Sequence, residues 1–299
     1  MKKRVICFGE VLWDIVEDDR MIGGALLNVC YHLSKQGIDS RIVSQTGNDT
    51  DGADLNTGIM QLGVSTDFIT VSEIHPTSKV LVYVAGDGKA SYDIVEKVAW
   101  DFIEFDELIA LEIASSDCFV YGSLITRNEV SKNTLLKYLG YAGWKVLDLN
   151  LRTPYYSKAD IHQLLSSCFT LKINDEELVI INDLFFRNSR TDAIIESVFK
   201  TFVNINEIIV TKGAAGVSYY AGGETITVPG IEVNVADTVG CGDSFLAAYL
   251  AGRLSGKPVK ECLLDAIAVS AFVAGCNGAC PVYDVKKILT SDLFLTKID

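Results

Sequence analysis

Short apolar runs, separated by polar turns and helical patterns, recur along the whole chain. The runs are rich in Val, Ile and aromatic residues and mostly lack a polar residue at every second position. Strands that are apolar on both sides are typical of a sheet covered by helices on both faces, so these runs predict central parallel strands. They lie at Val5–Phe8, Arg41–Ser44, Cys118–Tyr121, Lys145–Leu149, Phe169–Ile173 and Glu207–Thr211.

The segments between these runs carry apolar residues at helical spacing. Clear examples are Asn28–Gly37, Lys132–Ala142 and Ser244–Leu254. Strands that alternate with helices predict βαβ units and a mostly parallel sheet, so the expected fold class is α/β.

One region departs from this rhythm. Lys79–Val84 and Ala90–Val95 are β-rich arms around Gly86-Asp87-Gly88, a turn typical of a hairpin, and Leu12–Met21 also has an extended pattern. The pattern allows two interpretations. These pieces form either a small β layer that projects from the main domain or an ordinary hairpin at the edge of the main sheet.

Charge and cysteine content narrow the class of protein. The 299 residues carry a formal net charge of -13, and a surface of this sign argues against nucleic acid or anionic lipid as a partner. The apolar run after Met1-Lys2-Lys3-Arg4 is too short for a signal peptide, and no membrane span is expected. None of the eight cysteines forms a CxxC pair, so reduced thiols and a cytoplasmic location are expected.

The loop Asp237-Thr238-Val239-Gly240-Cys241-Gly242-Asp243 precedes a strongly patterned helix. At a helix start the first N–H groups have no intrahelical acceptor, and the helix dipole adds partial positive charge. Gly240 and Gly242 let the backbone approach a ligand closely. The loop therefore predicts an anion site suited to a transferring phosphoryl group.

Asp243 is unexpected beside such a site, because a carboxylate repels phosphate. It is either a general base that accepts a proton from an attacking hydroxyl or a cap of the helix. A Rossmann fingerprint would require glycine at position 245, which is Phe245, and the chain contains no GxxxxGK[ST] Walker A loop. The loop thus indicates another kind of nucleotide site.

At these residues the chain resembles the ribokinase/pfkB carbohydrate kinases, and within them the bacterial fructokinases. The loop at 237–243 matches the DTxGxGD signature of that family. Further matches follow in family order along nearly the whole chain: Gly9-Glu10-Val11-Leu12-Trp13-Asp14, Gly23-Gly24-Ala25 with Asn28, Gly47-Asn48-Asp49-Thr50-Asp51-Gly52, Ala99-Trp100-Asp101, Asp148-Leu149-Asn150-Leu151-Arg152, Asn174-Asp175-Glu176-Glu177 and Thr211-Lys212-Gly213-Ala214-Ala215-Gly216.

The resemblance implies a ribokinase-like three-layer α/β/α sandwich with a mostly parallel central sheet, as a single kinase domain over 1–299. A small β-sheet lid, formed by about 12–22 and 78–99, would cover the sugar. The implied reaction transfers the γ-phosphoryl group of ATP to a sugar hydroxyl with Mg²⁺. The resemblance also implies a homodimer through the lid and a monovalent cation such as K⁺ beside Asp237-Thr238.

The resemblance also implies roles for individual residues. Asp243 would be the catalytic base, and the backbone of three residues would form the anion hole: Gly240, Cys241 and Gly242. The sugar would be held by Asp14, Gly23, Gly24, Asn28 and Arg152. ATP would contact Asn174, Thr211, Gly213, Gly216, Gly240 and Gly242. Glu177 would reach Mg²⁺ through water.

Several of these residues have an ordinary structural alternative. Asp14 could be a turn residue, Asn28 a helix N-cap, Arg152 a surface cation and Glu177 a first-turn helix acid. Two tryptophans, Trp13 and Trp100, are better interpreted as packing residues than as sugar-stacking residues.

The chain departs from the family pattern in three places. Leu26-Leu27 stands where relatives often have a Pro-Ala pair, and Cys241 replaces the more usual alanine, which introduces a thiol open to oxidation. The hairpin sequence Ser91-Tyr92-Asp93-Ile94 lacks the arginine found in kinases of acidic keto-sugars. A neutral sugar, with D-fructose first, is therefore favoured. The alternatives are a ribokinase, a nucleoside kinase, a 2-keto-3-deoxygluconate kinase and, from another class, a non-catalytic sugar-sensing protein.

Overall fold

The structure, a computed structural model, describes residues 2–17, 19–84 and 90–291. Its strands are β1 (Arg4–Phe8), β2 (Leu12–Val16), β3 (Asp19–Gly23), β4 (Asp39–Gly47), β5 (Ile69–Ser72), β6 (Lys79–Val84), β7 (Ala90–Ile94), β8 (Cys118–Gly122), β9 (Lys145–Asp148), β10 (Thr170–Asn174), β11 (Glu207–Thr211), β12 (Val217–Ala221) and β13 (Glu224–Val228). Its helices are α1 (Ala25–Lys35), α2 (Thr50–Gln61), α3 (Glu107–Ser115), α4 (Glu129–Leu139), α5 (Lys158–Leu165), α6 (Asp175–Phe185), α7 (Thr191–Thr201), α8 (Cys241–Leu254), α9 (Val259–Ala274) and α10 (Val285–Leu289). Short 3₁₀ helices lie at Ala99–Phe102, Leu124–Arg127 and Gly213–Ala215.

Among the described residues, nine strands form one sheet in the order β13-β12-β11-β10-β9-β8-β1-β4-β5. The strand β12 is antiparallel to both neighbours, whereas the remaining pairs are parallel. The six runs predicted to be central strands form β1, β4 and β8 to β11, with ends shifted by a few residues. The predicted α/β class is therefore confirmed.

Two hydrophobic cores cover the two faces of this sheet. Along β1, Ile6 and Phe8 enter the core that α3 to α7 cover, and Val5 and Cys7 enter the core that α1, α2, α8 and α9 cover. Because both faces are buried, central strands such as β1, from Val5 to Phe8, and β8 are apolar on both sides and show no polar alternation. The result is the three-layer α/β/α arrangement.

The extended pieces form a second sheet of four strands in the described residues, in the order β3-β2-β6-β7. The alternative of an edge hairpin on the main sheet is therefore wrong. The strand β2 pairs in parallel with β6 and antiparallel with β3, so the predicted segment Leu12–Met21 becomes two strands. The turn Gly86-Asp87-Gly88 lies outside the described residues. The second sheet ends at Ile94, and Trp100 in the following 3₁₀ helix is buried in the main core.

The start of α1 differs from the prediction. The helix begins at Ala25 with Gly24 as its N-cap, and the Asn28 N–H bonds to Gly24 O at 2.9 Å within the first turn. The N-cap alternative for Asn28 is therefore wrong, and its side chain is free to act elsewhere.

A buried polar cluster lies at the amino-terminal end of the main sheet. Glu207, the first residue of β11, accepts hydrogen bonds from Thr170, Tyr219 and Tyr249 at 2.7–2.9 Å and pairs with Arg253 at 2.6 Å. Burial alone would raise the pKa of Glu207, but these hydrogen bonds and the Arg253 charge lower it. The cluster ties β10, β11, β12 and α8 together.

In the described part of the chain, no helix has both the length and the apolar character that a membrane crossing requires. All eight cysteines are free thiols, in agreement with the predicted absence of a disulfide framework.

Candidate active site

Polar residues end three neighbouring strands of the main sheet. Asp148 ends β9, Asn174 ends β10 and Thr211 ends β11, and Asn174 is the direct ladder partner of Thr211. The carboxyl ends of parallel strands are where open α/β sheets bind ligands. The start of α8 faces this edge, because a Cβ added at Gly242 would lie 2.9 Å from the amino group of Lys172 on β10.

Helix α8 begins with open backbone N–H groups, as predicted. Gly240 is its N-cap in the left-handed conformation, with φ 78°, and the Ser244 N–H makes the first regular helical bond, to Gly240 O at 2.8 Å. Between them, the N–H groups of Gly242 and Asp243 find no acceptor among the described residues. A Cβ at Gly240 would lie 2.7 Å from the carbonyl oxygen of Ala279. The helix start thus presents two N–H groups without an acceptor among the described residues, and its packing requires glycine at position 240.

The Asp243 side chain is buried and does not cap the helix. Helix α8 has no side-chain cap, and the Asp243 carboxylate accepts a hydrogen bond from Asn28 Nδ2 at 2.8 Å instead. Burial and the nearby Asp148 carboxylate raise the pKa of Asp243 to about 7. Lys172, the Asn28 bond and Arg152 limit that rise in pKa. A carboxylate with a pKa near neutrality is suited to accept a proton.

A buried ion pair that the sequence analysis did not single out lies beneath the start of α8. The Lys172 amino group contacts both carboxylate oxygens of Asp148, at 2.9 and 3.1 Å, and both side chains are almost fully buried. Burial would lower the pKa of Lys172, but the charges of Asp148, Glu177 and Asp243 outweigh it and raise the pKa. The sequence does carry one signal of this ion pair, which is a lysine within the apolar strand Thr170–Asn174. Because unpaired buried cations are rarely tolerated, such a lysine indicates a buried acidic partner.

The residues predicted to hold the sugar meet at the junction of the two sheets. Asp14 lies on β2 against the backbone of β3, where a Cβ at Gly23 would lie 2.0 Å from the Asp14 carboxylate. Gly24 has φ 121°, and a Cβ there would lie 2.4 Å from Glu10 O. Burial and the Glu10 charge raise the pKa of Asp14 to about 6, whereas Arg152 opposes the rise. Asp14 is therefore a partly buried carboxylate on a strand and not a turn residue.

Glu10 is a second site residue that the sequence analysis did not single out. Its carboxylate is buried and accepts the Ala25 N–H at 2.8 Å, which fixes the glycine turn before α1. Burial raises the pKa of Glu10, and Arg152 is among the groups that lower it. Arg152 has no carboxylate within 4.0 Å among the described residues, although its charge acts on Glu10, Asp14 and Asp243. Arg152 is therefore an exposed cation whose charge reaches the carboxylates of Glu10, Asp14 and Asp243.

The nucleotide-side residues lie along the next two strands. Asn174 is the N-cap of α6, and Thr211 donates to Ile173 O at 3.3 Å. Gly213 and Gly216 both have positive φ, 52° and 92°. A Cβ at Gly216 would lie 2.1 Å from a backbone oxygen of β13, whereas Gly213 faces open space. The backbone at Gly213 is therefore accessible from outside.

Glu177 has a structural role in addition to the one predicted. Its two carboxylate oxygens accept the N–H groups of Leu151 at 2.7 Å and Asn174 at 2.9 Å. The Asn174 bond, together with the Glu177 N–H donating to Asn174 Oδ1 at 2.8 Å, forms a capping box at the start of α6. Burial raises the pKa of Glu177, and the Lys172 charge opposes the rise. Each oxygen keeps one acceptor position, which suits contact with a metal ion through water better than direct ligation. In the described residues, no cluster of three or more His, Cys, Asp or Glu side chains forms a direct metal site.

Arg127 anchors the smaller sheet to the main domain and was not singled out from the sequence. Its guanidinium pairs with Asp101 at 2.7 and 2.9 Å and donates to Val95 O at 2.7 Å, just after β7 ends. The guanidinium also lies 4.0 Å from the ring centre of Trp100, which is fully buried. Trp100 is therefore a packing residue, as expected. Trp13 is also buried, although less completely, and the Arg20 guanidinium lies 4.5 Å from its ring centre.

Comparison with known proteins agrees with this geometry. The profile of the pfkB family carbohydrate kinases matches residues 3–285. The chain belongs to the pfkB family. It is therefore a carbohydrate kinase by family.

Its relatives include several proteins named fructokinases. A fructokinase of Escherichia coli is 26% identical over 275 residues, covering 85% of this chain and 86% of that protein. A probable chloroplastic fructokinase-6 of Arabidopsis thaliana is 27% identical over 312 residues, covering 95% and 80%.

The fold is shared with solved family structures. A fructokinase of Xylella fastidiosa with bound ATP has a TM-score of 0.85 and 21% identity, covering 97% of this chain and 98% of that chain. A putative ribokinase II of E. coli with ATP and Mg²⁺ has a TM-score of 0.83 and 20% identity, covering 99% of both. These likenesses confirm the ribokinase-like fold.

Departures from the pfkB pattern leave this site geometry intact. Leu26 and Leu27 are buried core residues of α1. Leu26 packs so closely on Gly9 that a Cβ added at Gly9 would lie 2.8 Å from the Leu26 side chain. Cys241 is half-buried, and its thiol lies 3.9 Å from Asp237 O, while its N–H bonds to Thr238 O at 3.3 Å. Burial raises the pKa of Cys241 to about 11, so this thiol stays protonated and weakly reactive at neutral pH.

Proposed function

We propose that this pfkB-family chain transfers the γ-phosphoryl group of ATP to a hydroxyl of a neutral sugar, with D-fructose as the substrate. One observation carries the proposal. Asp243, a buried carboxylate with a pKa near neutrality, bonds to Asn28 on the sugar side and stands beside the open N–H groups of α8. The names of the E. coli and Arabidopsis relatives support fructose.

The proposed chemistry needs one proton acceptor and one anion site. The sugar hydroxyl gives its proton to Asp243, and its oxygen then bonds to the γ-phosphorus as the bond to the ADP oxygen breaks. The N–H groups of Gly242 and Asp243 would hold the charge on the transferring group. Lys172 lies against Gly242 from below and adds positive potential at the same place.

Electrostatics on the sugar side favour a neutral substrate. Glu10 is buried and Asp14 is partly buried, and the two carboxyl groups lie beside the expected sugar position with Arg152 as the nearby cation. These acids accept hydrogen bonds from hydroxyls but would repel a sugar carboxylate. Ribose, a nucleoside and 2-keto-3-deoxygluconate remain the substrates to compare.

The nucleotide side fits ATP and Mg²⁺. Gly216, Gly240 and Gly242 pack so closely on neighbouring atoms that a Cβ would collide with them. Asn174 and Thr211 offer polar side chains at the adjacent strand ends. Glu177 would hold Mg²⁺ through water, and the ion would supply charge neutralisation for the phosphates. For a monovalent cation such as K⁺, the candidate is the Asp237 carboxylate, which already accepts from Val239 and Gly278.

The second sheet is proposed to act as the lid of a single kinase domain. The strands β2 and β3 carry Asp14 and Gly23, so movement of this sheet would move sugar-binding groups, and closure would exclude water from the transfer.

A homodimer through the lid and a cytoplasmic location are part of the same proposal. Met21 lies exposed on β3, as a lid interface requires, and eight free thiols suit a reducing compartment.

The test is ADP release by the purified protein with Mg-ATP and a panel of D-fructose, D-ribose, adenosine and 2-keto-3-deoxygluconate. We expect sugar-dependent ADP release with the highest kcat/KM for D-fructose. A higher value for another compound would replace the proposed substrate and keep the reaction. Sugar binding by calorimetry without ADP release from any compound would instead indicate a non-catalytic sugar-sensing protein.

A further inference from the structure

The Asn28 side chain is held from both sides. Its Nδ2 donates to Asp243 at 2.8 Å, and its Oδ1 accepts the thiol proton of Cys280 at 3.4 Å. The two ends of a carboxamide have nearly the same shape, so hydrogen bonds rather than packing decide which end faces which neighbour. Because Asn28 is only 4% exposed, these two partners set the direction of its amide.

The segment that carries Cys280 is fixed on α1. Tyr31 OH and His32 Nε2 bond to the carbonyl oxygens on either side of Cys280, at 2.6 and 2.9 Å. The His32 Nδ1 then accepts from Tyr283 OH at 2.7 Å, and burial lowers the pKa of His32 to about 4, so the ring stays neutral. Asn28, Tyr31 and His32 stand at i, i+3 and i+4, on one face of the helix. That face therefore holds Cys280 in register with Asn28.

The same segment also contacts the anion site. The carbonyl oxygen of Ala279 is the atom nearest to the missing Cβ of Gly240, at 2.7 Å, and the Gly278 N–H donates to Asp237 at 3.2 Å. Residues 278–283 therefore lie between the sugar-side helix and the loop before α8. Nothing in the predicted roles of the site residues uses Cys280.

We propose that Cys280 is a positioning residue for phosphoryl transfer, whose thiol keeps the Asn28 amide turned so that its NH₂ group stays on Asp243. The inference rests on the proposed function of Asp243 as the base. While Asp243 is ionised, its charge alone holds the NH₂ group. Once Asp243 has accepted a proton, its carboxyl could donate to the amide oxygen instead, and the thiol then prevents the amide from turning over.

Two properties suit Cys280 to this role. Burial raises the pKa of Cys280 to about 12, so the thiol keeps its proton across the neutral range. A thiol is a weak donor, so its loss should reduce activity without abolishing it.

The test compares Cys280→Ala, Cys280→Ser, Asn28→Ala and the double variant Cys280→Ala/Asn28→Ala in the full chain. We expect Cys280→Ala to lower kcat/KM for the sugar about 3- to 10-fold, the range of one hydrogen bond, and Cys280→Ser to recover most of it. In the Asn28→Ala background, Cys280→Ala should change kcat/KM less than about 2-fold, because the residue through which it acts is gone.

The pH profile provides a readout that a merely structural role would not move. The Asn28 bond lowers the pKa of Asp243, so a freely turning amide should shift the acid limb of kcat/KM to higher pH in Cys280→Ala. The other charged groups that face Asp243 are Asp148, Lys172 and Arg152, and all the variants leave them unchanged.

Cys262→Ala is the matched control. Its buried thiol is also a donor, but to a backbone oxygen, Lys257 O at 3.5 Å. Cys262 lies near the start of α9, about 18 Å along the helix from Ala274, whose carbonyl contacts the loop before α8. This variant should lower thermal stability without moving the acid limb. If Cys280→Ala behaves like Cys262→Ala, or its loss adds fully to that of Asn28→Ala, the positioning role is wrong.

If Cys280→Ala is too unstable to assay, Cys280→Ser decides the test. A folded serine variant that keeps the activity and the acid limb of the wild type supports the positioning role. A folded serine variant that loses them overturns it. Absence of ADP release by the wild-type protein would refute the proposed function itself, and normal wild-type turnover with unchanged Cys280 variants would refute only the positioning.

Discussion

Replacing Asp243 with asparagine separates the chemistry of this residue from its place in the fold. The substitution keeps the shape of the side chain and removes the base and its charge. We expect kcat to fall about 10²- to 10⁴-fold, the usual range for a general base, with sugar affinity little changed. We also expect the folded protein to become more stable at alkaline pH, which is the opposite of what loss of a helix cap would cause.

The expected stabilisation follows from the pKa. The carboxyl has a pKa of about 7 in the folded chain against 3.8 for the group in isolation. Below about pH 4 it is protonated in both states and costs nothing. As pH rises from about 4 to 7, the unfolded chain ionises first, so folding becomes less favourable. Above pH 7 the full cost remains, about 4 kcal/mol, and an asparagine does not incur it.

Urea unfolding of both proteins at pH 5 and pH 8.5 measures this effect. The gain in free energy of unfolding from Asp243→Asn should be about 3 kcal/mol larger at pH 8.5 than at pH 5. Lys172 should remain charged in the variant, because it keeps its contact with Asp148 at 2.9 Å.

Asp192→Asn is the matched control, since Asp192 also lies in the first turn of a helix but is 73% exposed. It should change stability by only a few tenths of a kcal/mol, as expected for a charge near a helix dipole, and leave kcat unchanged. An Asp243→Asn protein that turns over like the wild type, or that loses stability at pH 8.5, would refute the reasoning.

Three further predictions concern other parts of the molecule. The acid limb of kcat/KM should have its midpoint near pH 7, because Asp243 must be ionised, and Asn28→Ala should move it to higher pH; a flat profile would contradict this. Gly240→Ala should abolish turnover, because its Cβ would lie 2.7 Å from a backbone oxygen, whereas Gly222→Ala, with φ 57° and open space, should cost about 1–2 kcal/mol of stability and keep kcat. Glu207→Gln should lower the free energy of unfolding by about 2–3 kcal/mol in urea without affecting kcat, and equal stability would show that the cluster contributes nothing.

The parts of the fold that could be predicted are those with a local cause. Apolar runs on strands covered on both faces identified the central sheet, and glycines at a helix start predicted the N–H groups of Gly242 and Asp243 that have no acceptor among the described residues. Helix starts were placed less well. The Asn28–Gly37 prediction missed the first turn of α1, because Gly24 caps the helix by backbone conformation and not by a side chain.

The residues that were missed acquire their roles through distant contacts. Glu10 matters because its carboxylate reaches the Ala25 N–H, and Arg127 because it pairs with Asp101 and the end of β7. Cys280 lies in a segment without helical or strand periodicity, so no pattern marks its contact with Asn28, 252 residues away. Lys172 alone left a local trace, as a charge within an apolar strand.

The bond between Asn28 and Asp243 also has a consequence for the making of the protein. The two residues are 215 positions apart, and at ribosomal rates the second follows the first by roughly 10–40 s. A nascent chain thus carries the sugar-side helix long before it has any place for the phosphoryl group. Under the proposed function, we therefore expect that an unfinished chain does not consume ATP and that a ligand bridging the two ends stabilises only the finished molecule.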